Sequence, residues 1–495
     1  MSLLKKLAGE TAIYGISSIL SRLINWVILM PYFTKRAFAE HPGEYGVVSD
    51  LYTWIALLLV IFTYRMETAF FRYGRKKEDQ DRSFSTASIS LLVTTLAFTT
   101  FLLLLTQPVA RLLHYADHPE YIQWFVGIVA LDALVAIPFA RIRLENRPIR
   151  FAMIKIGSII LNMLFLFLFL EACPWLISKG WLWFEKIYSP DHRITYVFIA
   201  NFLASFSTLL ILLPVYFKIK INFDKSLWKQ MLVYALPLVL SGLAAVVNSL
   251  IGIPMLRFLA SDDAAGIFAA VSKLAVLMNL FTQAFNYASE PFFFRNADRD
   301  DSKEIYAQVA QAFAMVGSVV FLGIMLYLDI IQYFLGKNYR EGLGVLPILL
   351  IANLLLGLYY SVSIWFKLSD KTKFGGYIAL GGSFITLLIN YIFIPNPLVG
   401  YYAPAWAALI CYGFMLVACY WLGQRYFPIE YPVKRILAYV ALTLAGYALS
   451  WLFRQYATSN SLLIFCTNTL IFGTYLFILF RMERAFIGGI FRQRS

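Results

Sequence analysis

One predicted membrane helix, residues 11–33, carries a positive charge in its middle. Arg22 interrupts an apolar run, and Ser18 and Asn25 lie four residues before it and three residues after it, so the three side chains share one helical face. An arginine at the centre of a membrane helix costs at least roughly 2.5–3.5 kcal/mol on insertion scales. A planar guanidinium can bind a phosphate group in a bidentate way. We expect Arg22 to contact an anionic substrate; the alternative is that it pairs with a carboxylate and serves packing alone.

A second polar stripe runs along residues 265–290, a segment that is otherwise apolar. Its members are Ser272, Asn279, Gln283, Asn286 and Glu290. A shorter stripe, Ser241 and Asn248, lies on residues 231–256, and Lys273 adds a second intramembrane cation. We expect these stripes to line one aqueous cavity that is cationic near its centre. The predicted substrate-binding residues are Arg22, Asn25, Ser18, Lys273, Asn248, Asn279 and Gln283.

Charged residues that recur about 223 residues apart in the chain predict gates. Asp50 and Lys273 hold matching positions, and a pair between them would close the outer side of the cavity. Glu67 and Arg72 recur as Glu290 and Arg295, which indicates either an inner gate or the anchoring of helix ends. The predicted gating residues are Asp50, Lys273, Glu67, Arg72, Glu290 and Arg295. Asp132 and Glu171, in or near apolar stretches, could each carry a proton, but the sequence selects neither.

Residues suited to catalysis or to metal binding do not stand out. The four cysteines are widely scattered, at Cys173, Cys411, Cys419 and Cys466, and their spacing fits neither a metal site nor a disulfide framework. No P-loop motif is present, so no built-in ATPase is expected. We therefore predict a carrier and not an enzyme, without a cofactor or a metal. A coupling ion, Na⁺ or H⁺, or the membrane potential would supply the energy.

Long apolar runs place these residues in membrane helices. Hydrophobic residues make up 60% of the 495-residue chain and charged residues 14%, where soluble domains have about a quarter charged. The apolar runs are long enough to cross a roughly 30 Å hydrocarbon core as helices, whereas a β-barrel would show short alternating segments. We predict an all-α integral membrane protein with about fourteen transmembrane helices, at 11–33, 44–65, 84–106, 121–141, 152–172, 194–217, 231–256, 265–290, 306–329, 343–366, 375–394, 402–422, 435–453 and 461–480.

The distribution of Lys and Arg predicts an orientation. Counted loop by loop, the segments on the side of the N-terminus hold roughly three times as many Lys and Arg residues as the opposite segments, a bias that marks the cytoplasmic side. Both termini are therefore expected in the cytoplasm. These short basic loops also account for the net charge of +14 and can contact anionic lipid, so nucleic-acid binding is not expected.

The chain contains an internal repeat. Val48-Ser49-Asp50-Leu51 recurs as Val271-Ser272-Lys273-Leu274, and Glu67-x-x-Phe70-Phe71-Arg72 recurs as Glu290-x-x-Phe293-Phe294-Arg295. A repeat unit of six helices gives two parallel six-helix bundles that rock around a central site. We predict the first bundle at 1–222, the second at 223–428, and two C-terminal helices with a cytoplasmic tail at 429–495. The alternative is a duplicated scaffold without a transport role.

The chain resembles the polysaccharide-exporter branch of the multidrug/oligosaccharidyl-lipid/polysaccharide flippase superfamily. At the level of layout the resemblance covers essentially the whole chain, and the local features that carry it are Ser18, Arg22, Asn25, Glu44-Tyr45-Gly46, the Glu67–Arg72 element and the basic loop Arg141–Lys155. It implies a flippase of the bacterial inner membrane that moves undecaprenyl-pyrophosphate-linked oligosaccharide repeat units from the cytoplasmic to the periplasmic leaflet, for O-antigen, capsule or exopolysaccharide assembly. The implied partners are the lipid-linked oligosaccharide, membrane lipids and the polysaccharide polymerase and assembly machinery.

Three alternatives stay open at the level of sequence. A flippase for a lipid-linked peptidoglycan precursor needs the same diphosphate chemistry. A cation-coupled multidrug antiporter of the same superfamily would favour carboxylates in its cavity, and the Arg22 and Lys273 cations argue against it. A membrane-embedded polysaccharide polymerase or ligase would be expected to have a large outer loop with catalytic polar residues, and no such loop is evident.

Overall fold

The computed structural model describes residues 20, 23–217, 222–297, 299–369, 371–456 and 460–484, and every regular element among them is helical. Twelve of the described helices are long and apolar enough to cross a membrane, or thirteen spans if a pair bent by 46° near Ala275 counts as one. The prediction of an all-α membrane protein is thus confirmed. The number fourteen and the repeat remain predictions, because most of the helix predicted at 11–33 lies outside the described residues.

The chain forms two compact units. The first comprises Met1–Ala269 and Leu387–Pro404, and the second comprises Ala270–Thr386 and Ala405–Ser495. The predicted division at residues 222 and 428 follows the sequence repeat and stays a prediction; by contacts, the two helices that follow residue 222 belong to the first unit.

Before Pro42 the described residues form a short α-helical stretch, Met30–Tyr32, between two π-helical turns, Asn25–Leu29 and Phe33–Ala37. The longer helices that follow are α1 Pro42–Thr63, α2 Met66–Tyr73, α3 Lys77–Leu104, α4 Glu120–Leu144, α5 Pro148–Phe167, α6 Arg193–Phe217, α7 Lys225–Leu250, α8 Gly252–Leu259 and α9 Asp262–Leu274. Helix α4 is central in the first unit, since α1, α3 and α6 all pack against it, and α7 and α8 pack against α1.

The remaining helices are α10 Val276–Arg295, α11 Ser302–Leu326, α12 Leu346–Val362, α13 Lys373–Phe393, α14 Ala403–Tyr426, α15 Val433–Tyr456 and α16 Ser461–Met482. In the second unit α11 contacts α12, α15 and α16. Three buried hydroxyls join α11, α15 and α16, because Tyr475 on α16 lies 2.7 Å from Ser318 on α11 and 2.9 Å from Thr443 on α15. The last two helices are therefore an integral part of the second unit.

Helix α1 ends at a backbone break that the sequence does not predict. Tyr64 and Arg65 both adopt the left-handed conformation, with φ of 30° and 57°, which is uncommon for residues other than glycine. Surrounding contacts hold the break in place: the Tyr64 hydroxyl lies 2.6 Å from Ser90 Oγ, which also accepts a hydrogen bond from the Trp228 indole at 2.7 Å. The break turns the chain into α2 and places the Arg65 side chain beside α7.

Helices α1 and α9 approach each other closely at one pair of glycines. A Cβ built at Gly46 would collide with the backbone of Asp262 and Gly266, and one built at Gly266 would collide with the carbonyl of Pro42. Only glycine allows two helix backbones to come this near. The contact between α1 and α9 therefore depends on the absence of side chains at Gly46 and Gly266.

Candidate functional site

A cavity of about 360 Å³ opens among helices α1, α2, α4, α5 and α6 of the first unit. Most of its lining is apolar, with side chains such as Leu59, Val135 and Phe151. Its five charged lining residues are Arg65, Glu67, Asp132, Arg143 and Lys155. Three cations against two carboxylates leave the lining with an excess of positive charge, in a volume typical of small-ligand sites.

The Arg65 guanidinium lies against the backbone of helix α7. A Cβ built at Gly242 would come within 2.5 Å of Arg65 Nη2 and 2.7 Å of Nε, so the missing side chain at Gly242 makes the room for the arginine. Arg65 Nη1 lies 3.8 Å from Glu67 Oε1. The second oxygen of Glu67, Oε2, is buried and has no hydrogen-bond partner among the described residues.

The other two cations of the cavity pack over aromatic rings. The Arg143 guanidinium carbon is 4.9 Å from the centre of the Phe71 ring, and Lys155 Nζ is 5.3 Å from the centre of the Phe139 ring. Both distances suit a cation–π interaction. The rings position the two cations at the cavity wall without neutralising their charge, so the charges remain available to an anion.

Asp132 lies in the middle of helix α4, whereas the other charged residues of this helix lie in its first and last turns. It precedes Arg143 by eleven residues, which corresponds to about 16 Å along a helix. Ser205 Oγ donates a hydrogen bond of 2.8 Å to Asp132 Oδ1 and also lies 3.5 Å from Asn201 Oδ1. Asn201 in turn donates to the Tyr52 hydroxyl at 2.8 Å. A polar chain thus leads from the cavity wall on α4 through α6 to α1.

The cavity has the chemistry of an anion site. Two guanidinium groups and one ammonium group converge on it, and guanidinium groups match the paired oxygens of phosphates. The apolar remainder of the lining lowers the local dielectric and strengthens charge interactions. Groups of three or more His, Cys, Asp or Glu residues that could hold a metal ion are absent from the described part of the chain.

A second charged cluster holds Asp50 of helix α1 in the core of the first unit. Asp50 is fully buried and accepts a 2.6 Å hydrogen bond from the Tyr115 hydroxyl, while Arg257 Nη1 lies 3.7 Å from the same oxygen. Burial and the Asp50 carboxylate raise the pKa of Tyr115, so the phenol stays a donor. Arg257 also donates to the carbonyls of Leu113 (2.8 Å) and His114 (3.1 Å). The cluster joins α1, α8 and the loop before α4.

The predicted gating residues have partners that the sequence did not suggest. Asp50 contacts Tyr115 and Arg257, and its pairing with Lys273 stays a prediction. Glu67 lies beside Arg65 and not beside Arg72, whose guanidinium lies over the Tyr234 ring at 4.4 Å. The side chains of Glu290 and Arg295 lie outside the described residues. The gating roles stay predictions.

The predicted substrate-binding residues fall into three groups. Ser18 and Arg22, and the side chain of Asn25, lie outside the described residues. Asn248 is buried on α7, in the first unit. In the second unit Lys273 is exposed in the last turn of α9, and Gln283 on α10 donates a hydrogen bond to Asn279. Their role in substrate binding stays a prediction.

Sequence reasoning missed the three cations of the cavity. Arg65, Arg143 and Lys155 count among the basic residues on the side of the N-terminus, where the sequence predicts topology signals only. The structure places Arg65 at the break after α1, Arg143 in the last turn of α4 and Lys155 inside α5, and all three line one cavity. For Asp132 the sequence predicts only that it could carry a proton, without selecting it or placing it in the cavity, and the structure puts it on the cavity wall. The convergence itself depends on helix packing, which spacing along the chain does not show.

Comparison of the sequence with known families gives one match over more than half of the chain. Residues 7–297 match the family described as "Polysaccharide biosynthesis protein". A direct comparison with curated proteins finds no match.

Several solved structures are similar in fold, among them a lipid flippase and two multidrug transporters. "Lipid II flippase MurJ, inward closed conformation" aligns with a TM-score of 0.74 at 15% identity, over 96% of this chain and 100% of that one. A ligand complex of the MATE multidrug transporter DinF-BH gives 0.59 at 16% identity, over 86% and 97%. An inward-facing multidrug resistance transporter of the MATE family and MOP superfamily gives 0.57 at 12% identity, over 89% and 100%. At these identities the likeness concerns the fold alone.

Proposed function

Since the chain belongs to the polysaccharide biosynthesis protein family, we propose that it is a flippase for lipid-linked oligosaccharide repeat units. In this proposal the substrate is carried on undecaprenyl diphosphate and moves from the cytoplasmic to the periplasmic leaflet of a bacterial inner membrane. The protein works by alternating access and performs no covalent chemistry. Both termini lie in the cytoplasm, and a polysaccharide polymerase and its assembly machinery use the product.

The cationic cavity of the first unit is the observation that carries the proposal. A lipid diphosphate places negative charges next to a polar sugar, and neither crosses hydrocarbon unaided. Arg65, Arg143 and Lys155 supply opposite charge within a mostly apolar lining, and two of them are guanidinium groups suited to phosphate oxygens. Substrate contact by Arg22 and Lys273 is part of the same proposal.

The membrane potential gives the cycle a direction. Moving one negative charge outward across an inside-negative membrane is downhill by roughly 2.3 kcal/mol per 100 mV. An empty cavity with net positive charge is drawn toward the inside by the same field. Coupling to Na⁺ or H⁺ would add to this driving force.

A transport assay with a substrate panel tests the proposal. The purified full chain is reconstituted in liposomes with a fluorescent undecaprenyl-diphosphate oligosaccharide, and delivery of the head group to the opposite leaflet is measured. Liposomes with the Arg143→Ala, Lys155→Ala double variant are the matched control. We expect flipping by the wild type and a loss of at least tenfold in the double variant. Absence of flipping for every lipid-linked sugar would contradict the proposal.

The fold similarity to a lipid II flippase favours one second candidate. In that case the same assay would show flipping of a lipid-linked peptidoglycan precursor and none of the lipid-linked oligosaccharide. Export of a cationic dye driven by a proton or sodium gradient, with neither lipid moved, would instead place the chain among multidrug antiporters. The panel of three substrates therefore separates the candidates in one experiment.

A further inference from the structure

Asp132 differs from the other intramembrane carboxylates in its partners. Glu171 is held in a bidentate pair with Arg36, at 2.7 and 2.6 Å, and Glu67 has the Arg65 guanidinium at 3.8 Å. Asp132 has a single neutral hydrogen-bond donor, Ser205. Among the described residues no cation comes within 4.0 Å of it. Its charge is therefore compensated less directly than that of Glu67 or Glu171.

The position of Asp132 allows it to exchange protons with the cavity. It lines the cavity wall and is only partly buried, so a carboxylate oxygen can be reached by water that enters there. Ser205 bonds one oxygen and continues the polar chain to Asn201 and Tyr52. A hydroxyl can reorient to donate or to accept, so this chain accommodates both the charged and the neutral form of the carboxyl group.

The charges around Asp132 come from several helices. On α5 Lys155 acts on it across the cavity, and at the end of its own helix Arg143 lines the same space. Arg65 and Glu67 face the cavity from the break after α1 and from α2. Helix α6 contributes neutral groups, and α3 carries its charged residues only near its first turns, at Lys77, Glu78, Asp79, Asp81 and Arg82.

We infer that Asp132 binds a proton when an anion occupies this cavity, so that proton binding and anion binding are linked. An anion in the same mostly apolar cavity disfavours the charged form of the carboxylate, which then takes up one proton from water to become a neutral carboxylic acid. Linkage is reciprocal: protonation of Asp132 removes one of the two negative charges of the lining, so the anion binds more tightly at lower pH. The inference rests on the proposed function only for the identity of the natural anion.

Sulfate is a suitable probe, because it stays a dianion across the neutral pH range and cannot itself take up the proton. Binding to the purified full chain is measured by calorimetry in two buffers of different ionisation enthalpy, which yields the number of protons taken up per sulfate bound. The variants are Asp132→Asn, Glu67→Gln and Lys155→Ala, with Arg75→Ala as an exposed basic control outside the cavity lining.

We expect proton uptake, up to one proton per sulfate, in the wild type and in Glu67→Gln, and none in Asp132→Asn. Sulfate affinity should rise roughly tenfold from about pH 8 to about pH 5 in the wild type, within the usual range of coupling between sites, and stay nearly constant in Asp132→Asn. Lys155→Ala should bind sulfate more weakly, and Arg75→Ala should match the wild type.

Three results would overturn the inference. They are binding of sulfate without proton uptake, proton uptake that persists in Asp132→Asn, and no binding of sulfate by the wild type. Loss of uptake in Glu67→Gln but not in Asp132→Asn would assign the proton to Glu67 instead. Proton-linked sulfate binding in a protein that flips no lipid-linked sugar would support the inference and contradict only the proposed function.

Discussion

At the scale of single residues, the cavity depends on how its cations are held. Arg65 has a left-handed backbone and lies against a glycine of another helix, whereas Arg143 and Lys155 lie over aromatic rings. Intramembrane Asp132 was recognisable in the sequence because a carboxylate in an apolar run is rare. The cations Arg65, Arg143 and Lys155 were not recognisable as cavity residues, since basic residues on the cytoplasmic side of a membrane protein are common for topological reasons.

Gly242→Ala should impair transport without loss of stability. The added methyl group would meet the end of the Arg65 side chain, which can move, and not a backbone atom. Alanine in place of glycine stabilises a helix by up to about 1 kcal/mol, so we expect an unchanged or slightly raised unfolding temperature. Displacement of the guanidinium should lower the flipping rate roughly tenfold.

Gly157→Ala is the matched control, because Gly157 lies in membrane helix α5 and a Cβ added there would meet open space. It should leave both the flipping rate and the unfolding temperature near the wild-type values. Equal flipping rates in Gly242→Ala and Gly157→Ala would show that the position of Arg65 does not matter.

Asp224 gives the protein a pH-dependent contribution to stability. Its carboxylate caps helix α7 by accepting a 2.9 Å hydrogen bond from the Leu227 N–H, and it also pairs with Arg82. These partners, the backbone N–H first, hold the pKa of Asp224 below its usual value. The contribution is therefore present at neutral pH and is lost as the pH falls below about 4.

We expect Asp224→Asn, which keeps the capping acceptor but not the charge, to unfold at a lower temperature than the wild type at pH 7. The difference should shrink as the pH falls below about 4, where the wild-type carboxylate becomes protonated. Asp117→Asn, in an exposed loop, is the control. A gap between wild type and Asp224→Asn that persists at low pH would contradict the electrostatic account.

At the scale of elements, apolar runs predicted the helices well but not their breaks. The helix predicted at 461–480 is Ser461–Met482 in the structure, whereas the one predicted at 231–256 is divided into α7 and α8. Similarly, 265–290 contains the bend of 46° between α9 and α10. Apolar length decides whether a segment can cross a membrane. A break depends on local backbone angles and on neighbouring helices, as at Tyr64 and Arg65.

The glycine contact between α1 and α9 should be intolerant of any side chain. Gly46→Ala would place a methyl group against the backbone of Asp262, so the two helices would have to separate. Overpacking of this kind typically costs about 1–3 kcal/mol. We expect Gly46→Ala to unfold at a lower temperature than the wild type, as measured by intrinsic fluorescence. Gly473→Ala is the control and should unfold at the wild-type temperature, because the added Cβ meets open space. Similar unfolding temperatures for the two variants would contradict the close approach.

At the scale of the whole molecule, the layout was predictable and the placement of charge was not. Composition, helix length and the Lys and Arg bias predicted a membrane protein with many helices, and the fold comparison agrees with this layout. The substrate residues chosen from polar stripes lie partly outside the described residues. The cations of the cavity are basic residues that the sequence predicted only as topology signals.

Helices α15 and α16 should depend on a buried polar contact for their packing within the second unit. Glu483, which is 2% exposed, accepts a 2.9 Å hydrogen bond from Gln311 of α11, and Arg435 of α15 lies 3.5 Å away. Glu483→Ala would leave the buried Gln311 amide without this acceptor, at a cost of about 1–3 kcal/mol. We expect a lower unfolding temperature and faster hydrogen exchange in α15 and α16. Exposed Glu430→Ala is the control, and exchange as slow as in that control would contradict the attachment.

The central claim is that the cationic cavity carries an anionic lipid-linked head group across the membrane. The most direct measurement is the rate of flipping of a fluorescent undecaprenyl-diphosphate oligosaccharide in liposomes at a series of imposed potentials, for the wild type, Arg143→Ala and the exposed control Arg75→Ala. We predict a wild-type rate that rises as the side holding the substrate becomes more negative, the same rates in Arg75→Ala, and a loss of at least tenfold in Arg143→Ala. Equal flipping by Arg143→Ala and the wild type at every potential would contradict the account.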